Sequence, residues 1–354
     1  MSKCDNQVIL LILRAKLKLI LLNNTEILKR NTYLVIGIFF LTMLCCNSSF
    51  SQTINTVKFT TAKNLPFGLS GMASATDQKR IYIKGGSTSF NHYSSGLYAY
   101  DIELNEWMDL SKSINLKATQ FGKGIFLPEY NTIAFIGGIT PVNNSIRIIP
   151  SIIGFDLETY RFSSLGNSPL ISKLLGAAYW EGKVYMFGGS ISSESHFSHH
   201  DQKYTNKMYS YSPENGGIES LPDHPEAKEM KGEVMNGLLY TFGGNDNLPN
   251  KNIHTYTIES KVWQKIASFE NSVSAYALVK YKHYFLLIGD YSNKNQMIVF
   301  DTNTNTWEVY QMNFGVYHMG AVIAKNMLHV FGGDENSQAS RQHWVLNLET
   351  FLKE

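Results

Sequence analysis

The side chains best suited to chemistry fall in two places. Residues 190–206 hold His196, His199, His200 and Asp201 within six positions. Imidazole and carboxylate at that spacing could ligate Zn²⁺ or Cu²⁺. The same stretch also reads as a solvated polar loop whose histidines only titrate near neutrality, and no second ligand cluster stands elsewhere in the chain. No metal and no cofactor are therefore expected. The other set is Gln120, Lys123, Lys231, Glu233, Tyr276 and His318, each at or near the start of a short apolar run. Such groups could bind a sugar or a small anion, with Lys231 or His318 placed for proton transfer and Glu233 as a base. Arg341 and His343, with Arg147, Asn91, His92 and Tyr93, could form a recognition surface or an ordinary polar rim.

The elements that must position these groups are β-strands. Aromatics make up 13% of the 354 residues, with 20 Tyr and 20 Phe, which favours pleated, half-buried surfaces. A short β-branched or aromatic run ending at a glycine pair recurs six times: IYIKGG (81–86), IAFIGG (133–138), VYMFGG (184–189), LYTFGG (239–244), FLLIGD (285–290) and LHVFGG (328–333). Successive glycine pairs stand 52, 51, 55, 46 and 43 residues apart, a period that signals a repeat architecture. Each is followed, after a polar loop, by a second run ending in an aromatic and a polar residue, such as LYAYD (97–101) or MIVFD (297–301). Six residues further on stands a large residue: Trp107, Trp263 and Trp307, with Phe162 and Ile218 in the second and third units.

Glycine pair, then Tyr-Asp, then Trp at these offsets resembles the kelch repeat family over about residues 57–348. The resemblance implies an all-β, six-bladed propeller. No Trp is followed by Asp, which disfavours the other common propeller repeat. The fifth unit departs with Gly289-Asp290, and the third lacks both the Asp (Ser212) and the Trp (Ile218). The sixth unit reaches residue 354 just after its third strand, while a lone run, TINTVKFTTA (53–62), precedes the first unit. The expectation is that Val57–Thr60 supplies the missing outer strand of blade six, so that the ring is closed by its own N-terminal strand and no edge is left open.

Ahead of that strand, Lys29-Arg30, an apolar run from Tyr33 to Cys46 and small polar residues to Ser51 have the order of a secretory signal. Residues 1–51 are read as a leader, with 1–30 as an overlong n-region or a misassigned start, and 52–354 as the propeller. The apolar run is shorter than the roughly 20 residues a membrane span needs, so no stable span is expected in the mature chain. Without the leader's six Lys/Arg and two Asp/Glu the formal charge turns from +2 to −2, which gives no nucleic-acid footprint. All three cysteines, Cys4, Cys45 and Cys46, leave with it. That excludes disulfides and thiolate sites, and with them the copper chemistry of galactose oxidase, which resembles this architecture but needs a cysteine joined to a tyrosine.

In a propeller the loops between second and third strands share one face with those between fourth and first, around the channel mouth. The former are long and variable here, where binding usually sits. The functional expectation is an exported, secreted or periplasmic module that binds a protein or a glycan on that face. The alternative is a sugar epimerase similar in size, export and repeat number to the N-acetylneuraminate epimerases, an analogy at the level of fold.

Overall fold

A computed structural model describes residues 55–353, apart from 90–91, 112–115, 144, 193–201 and 336–337. Among them, six sheets follow one another in sequence as the blades, five of them four-stranded and antiparallel and the fifth blade extended by one further strand. Their innermost strands are Ala73–Thr76, Lys123–Leu127, Gly176–Trp180, Glu229–Met235, Ala277–Tyr281 and Gly320–Ala324. Neighbouring blades meet across six apolar clusters, one per interface. Tyr82 of blade one lies 6.1 Å from Phe155 of blade two, and the interface of blades six and one holds Phe331, Val322, Ile81 and Tyr100. The closing interface is thus built like the other five. Among the described residues no helix is long and apolar enough to cross a membrane.

The repeated residues do the work their chemistry suits. In five blades both glycines after the second strand have positive φ, which a Cβ would strain. The first of each pair also lies against the next blade: a Cβ on Gly85 would stand 2.3 Å from the carbonyl oxygen of Thr119. In blade five only Gly289 keeps this role. Asp290 replaces its partner, and its buried carboxylate accepts from the backbone N–H groups of Ser274 (2.7 Å), Ser292 (2.9 Å) and Asn293 (2.9 Å), so a side chain ties the turn together instead. In blades one, two, four and five the aromatic of the third strand packs on the large ring of the fourth, as in Tyr100–Trp107 (5.2 Å) and Tyr256–Trp263 (5.0 Å). Two of these indoles also tie blades together, Trp107 Nε1 donating to Lys63 O and Trp263 Nε1 to Pro222 O.

Closure by the N-terminal segment is observed, with a corrected register. Thr60–Thr61 is the outer strand of blade six, antiparallel to Val345 and Trp344. Asn55–Val57 does not belong to that blade; it runs parallel to Tyr310–Met312 and adds a fifth strand to blade five. The crossing between the two is held by Asn313, whose side-chain amide accepts from Phe59 N–H (2.8 Å) and donates to Phe59 O (3.1 Å). This lets the strap leave one sheet for the next without orphaning its backbone. Phe59 is buried at the seam against Phe314, which in turn stacks on Trp344 at 4.0 Å. Further along, Ala62 N–H donates to His343 O and Leu65 N–H to Arg341 O.

A pair of buried histidines sits under this strap. His329 Nδ1 lies 3.0 Å from His343 Nε2, and His343 Nδ1 lies 3.3 Å from Lys63 O. With His343 Nδ1–H donating to the strap carbonyl, His343 Nε2 must accept, which places a proton on His329 Nδ1. Burial, with mutual repulsion at His343, pushes their pKa values down to about 4 (His329) and about 3 (His343).

Two outcomes follow. Phe59→Ala should cost about 3–5 kcal/mol in urea denaturation, as expected for an aromatic removed from a packed seam. As pH falls from 6.5 towards 4, the unfolded chain takes up protons that the folded histidines resist, so stability is full above 6.5 and declines below it. The thermal midpoint of a His329→Gln/His343→Gln variant should fall less steeply with acidification across that window; an unchanged slope would contradict the neutral pair.

Candidate ligand-binding channel and loop face

The inner strands begin at the channel mouth, and the strand pairing fixes equivalent positions. The residue opposite the one just before each glycine pair is Ala73, Lys123, Gly176, Lys231, Ala277 and Gly320 in turn. Four blades thus offer a methyl group or nothing at this level, and two offer an ammonium. Lys123, Gly176, Lys231 and Ala277 line a cavity of about 80 Å³ at the channel mouth, with Gly71 and His318 among its walls. Burial lowers the pKa of both lysines. For Lys231, taken down to about 8, repulsion from Lys123 adds to the effect and Glu229 opposes it. For Lys123, Glu233 opposes it and Lys280 adds to it.

A ring of backbone bonds runs just above this level. Gly71, Phe121, Leu174, Ala275 and His318 all have positive φ. Gly71 N–H donates to His318 O (2.9 Å), Phe121 N–H to Gly71 O (2.8 Å), Leu174 N–H to Phe121 O (3.1 Å) and His318 N–H to Ala275 O (2.9 Å). Blade four breaks the ring. Between the bridging residue and the first strand rung the other blades have two residues, as from Gln120 to Lys123, whereas blade four has one, from Glu229 to Lys231. The missing residue is the one that carries the positive φ elsewhere. Its place is partly taken by Tyr276, whose buried hydroxyl donates to Phe242 O at 2.5 Å, and whose pKa is pushed up by burial.

A small cavity of about 20 Å³ remains at the break, lined by Leu174, Glu229, Gly244, Ala275 and Tyr276. Glu229 is 6% exposed, and its Oε2 has no hydrogen-bond partner among the described residues. Burial pushes its carboxyl up to about 7, with Lys231 and Lys173 opposing.

The residues singled out from sequence have distinct fates. Lys123, Lys231 and His318 come together in the channel. Glu233 is not among the cavity's lining residues: its carboxylate accepts from Lys280 Nζ (3.2 Å) and from Val234 N–H (3.0 Å), and its charge still reaches Lys123. Gln120 is buried and knits blades one and two, donating to Ser87 Oγ at 2.7 Å. His318 Nδ1 lies 3.2 Å from Asp334 Oδ2, which also accepts from Ser70 Oγ at 2.6 Å. Arg341 is exposed at the rim. His196, His199, His200, Asp201 and Asn91 lie outside the described residues. Among the described residues no group of three or more His, Cys, Asp or Glu could hold a metal. Sequence reasoning passed over Glu229, although the stretch from Glu229 to the glycine pair is one residue shorter than its counterpart from Ser274.

The face around the mouth is uneven. Blades one, two and six carry small hairpins there: Ser87–Ser89 with His92–Tyr93, Ile139–Val142 with Ser145–Ile148, and Asp334–Glu335 with Gln338–Ala339. Blades three to five instead present exposed apolar side chains on the same face, Ile171, Ile191, Leu248 and Tyr291, with Leu248 74% exposed.

Six blades around an axial channel, with glycine pairs at the second-strand ends of five and Gly289-Asp290 in the other, define a kelch-type β-propeller. The family model described as the KLHDC2/KLHL20/DRC7 Kelch-repeats domain matches residues 71–290, and the chain belongs to the kelch-repeat family. It is similar to Kelch-like protein 25 of Xenopus tropicalis, 23% identical over 239 residues. That alignment takes in 64% of this chain and 38% of the relative, so the chain spans well under half the length of the curated protein it matches.

Glu229 yields a prediction with a definite sign. A carboxyl whose folded pKa is raised contributes its full stability below the ordinary value of 4.5, and that contribution is lost as pH rises through about 7. Glu229→Gln should therefore raise the thermal midpoint at pH 8 relative to the parent and leave a smaller difference at pH 4.5. An equal shift at both values would contradict a buried, reluctant carboxylate.

Proposed function

We propose that this kelch propeller is a protein-binding module whose partner docks on the loop-bearing face over blades three to five. The observation that supports this most is the grouping of Ile171, Ile191, Leu248 and Tyr291 there. Scattered apolar residues on a surface need no explanation, but several gathered beside a channel mouth on a rigid ring favour burial by a partner. Tyr291 is a fitting anchor, since it packs edge-on against Tyr317 at 5.1 Å and so spends little entropy on being held. The leader read in residues 1–51 extends the proposal to a module that works after export, in the periplasm or outside the cell.

A glycan is the other ligand class this face would suit. The sugar-epimerase alternative draws less support, because Glu233, the expected base, is engaged by Lys280 and is not among the residues lining the cavity that Lys231 and His318 share.

Photo-crosslinking side chains placed singly at Leu248 and Tyr291, with Leu104 and Tyr160 on the opposite face as controls, test the reading in the native cell. Adducts of one defined protein at the first two positions and none at the controls are expected. Adducts at Leu104 or Tyr160 instead, or at all four alike, would overturn it. Sequencing the N-terminus of the mature protein tests export separately, with a start near Gln52 expected.

A further inference from the structure

Several lysines packed in or beside this ring have partners. Lys228 is fully buried and paired with Glu226 (2.5 Å), and Asn250 Oδ1 stands within 3.4 Å. Lys84 is buried and donates to Thr119 Oγ1 (3.0 Å) with its ammonium over the Phe135 ring. Lys280, at the channel's edge, takes Glu233. Lys123 and Lys231, both half-buried, differ. Both line the channel cavity, and no hydrogen bond or ion pair engages either ammonium among the described residues.

Two like charges facing one narrow space are costly unless something of opposite sign sits between them. The carboxylates within electrostatic reach do not supply it: Glu233 is held by Lys280, and Glu229 lies in the gap of blade four, where burial disfavours its charge. The surrounding positions are as small as side chains can be. Gly176, Ala277 and Ala321 line the space, which leaves the ammoniums as the long groups at their level and room beside them. The break in the backbone ring falls in the blade that carries Lys231, so the mouth is least closed next to that lysine.

We propose that the channel mouth is a binding site for a compact oxyanion, a phosphate or a small carboxylate, held between the ammonium groups of Lys123 and Lys231. Each ammonium donates a charge-assisted hydrogen bond to a different oxygen of the anion, and the small residues around them exclude side chains that would compete. The site does not depend on a protein docking at the rim, so its failure and that of the loop-face reading are separate results.

The test is calorimetric titration of the full chain with inorganic phosphate and, separately, with malonate, at constant ionic strength in chloride. Saturable binding of at least one anion with one site per chain is expected. Lys123→Met and Lys231→Met should each weaken it about tenfold or more, the loss of one charge-assisted bond, and the double variant should show none. Lys325→Met, at an exposed lysine paired with Glu103 away from the channel, should leave it unchanged. Binding of phosphate alone points to a phosphorylated ligand, and of malonate alone to a carboxylate. A thermal-shift series guards against misfolding: without anion the double variant should melt at or above the parent, since two like charges facing one cavity are gone, and added anion should raise only the parent's midpoint. Absence of saturable binding to the parent, or equal binding by the folded double variant, would overturn the proposal.

Discussion

The structure depends on one connection, the strap that runs from Asn55 to Leu69 across the seam between the last blades and the first. A propeller is a ring of sheets that each bury one face on the next, and an open ring would expose two such faces at once. Here the strap adds a strand to blade five, completes blade six and then runs along the loop of blade six into blade one. Phe59, Asn313 and the His329–His343 pair beneath Lys63 are its fastenings, each joining residues more than 250 positions apart or held under such a join. Because loop-closure entropy rises only slowly with length, so long a closure costs little more than a short one, while it secures the whole apolar interface of blades six and one.

Closure is also what makes the channel a site. Six inner strands held at fixed spacing bring Lys123 and Lys231 into one cavity although 107 intervening residues separate them in the chain. The backbone ring through Gly71, Phe121, Leu174, Ala275 and His318 sets the width of the mouth, and blade four, one residue short, interrupts it. The interruption shapes the local chemistry. It draws the Tyr276 hydroxyl into the strand, leaves a water-sized gap and strands the Glu229 carboxyl there. The kelch repeats supply the frame; the shortened blade and the two unpaired lysines are what this chain adds to its own channel.

Much of the frame was legible in the sequence, because its signals are local. Glycine at positive φ, an aromatic on the third strand and a large residue six positions on are set within one blade, and so the blade number and the closing strand could be read directly. The strap's register could not, since it is decided by Asn313, a polar residue on another blade with nothing in its own neighbourhood to mark it. The site was legible by half. Lys123, Lys231 and His318 do meet, because equivalent strand starts must converge on the axis. Gln120, Tyr276 and Glu233 looked alike in sequence, yet each has a structural partner, Ser87, Phe242 and Lys280 respectively, contributed by a different blade. A pattern read one repeat at a time does not contain such partners.

Native-state hydrogen exchange measures the dependence on the strap most directly. The amides of Phe59, Ala62 and Leu65 are bonded across the seam, while those of Val184 and Met186 lie in the second strand of blade three, far from it. If the strap holds the ring together, all five should exchange only through global unfolding, with the same free energy and the same denaturant dependence. Exchange of the strap amides at a clearly lower free energy, with blade three still protected, would show that the ring stands without its clasp and would contradict the account.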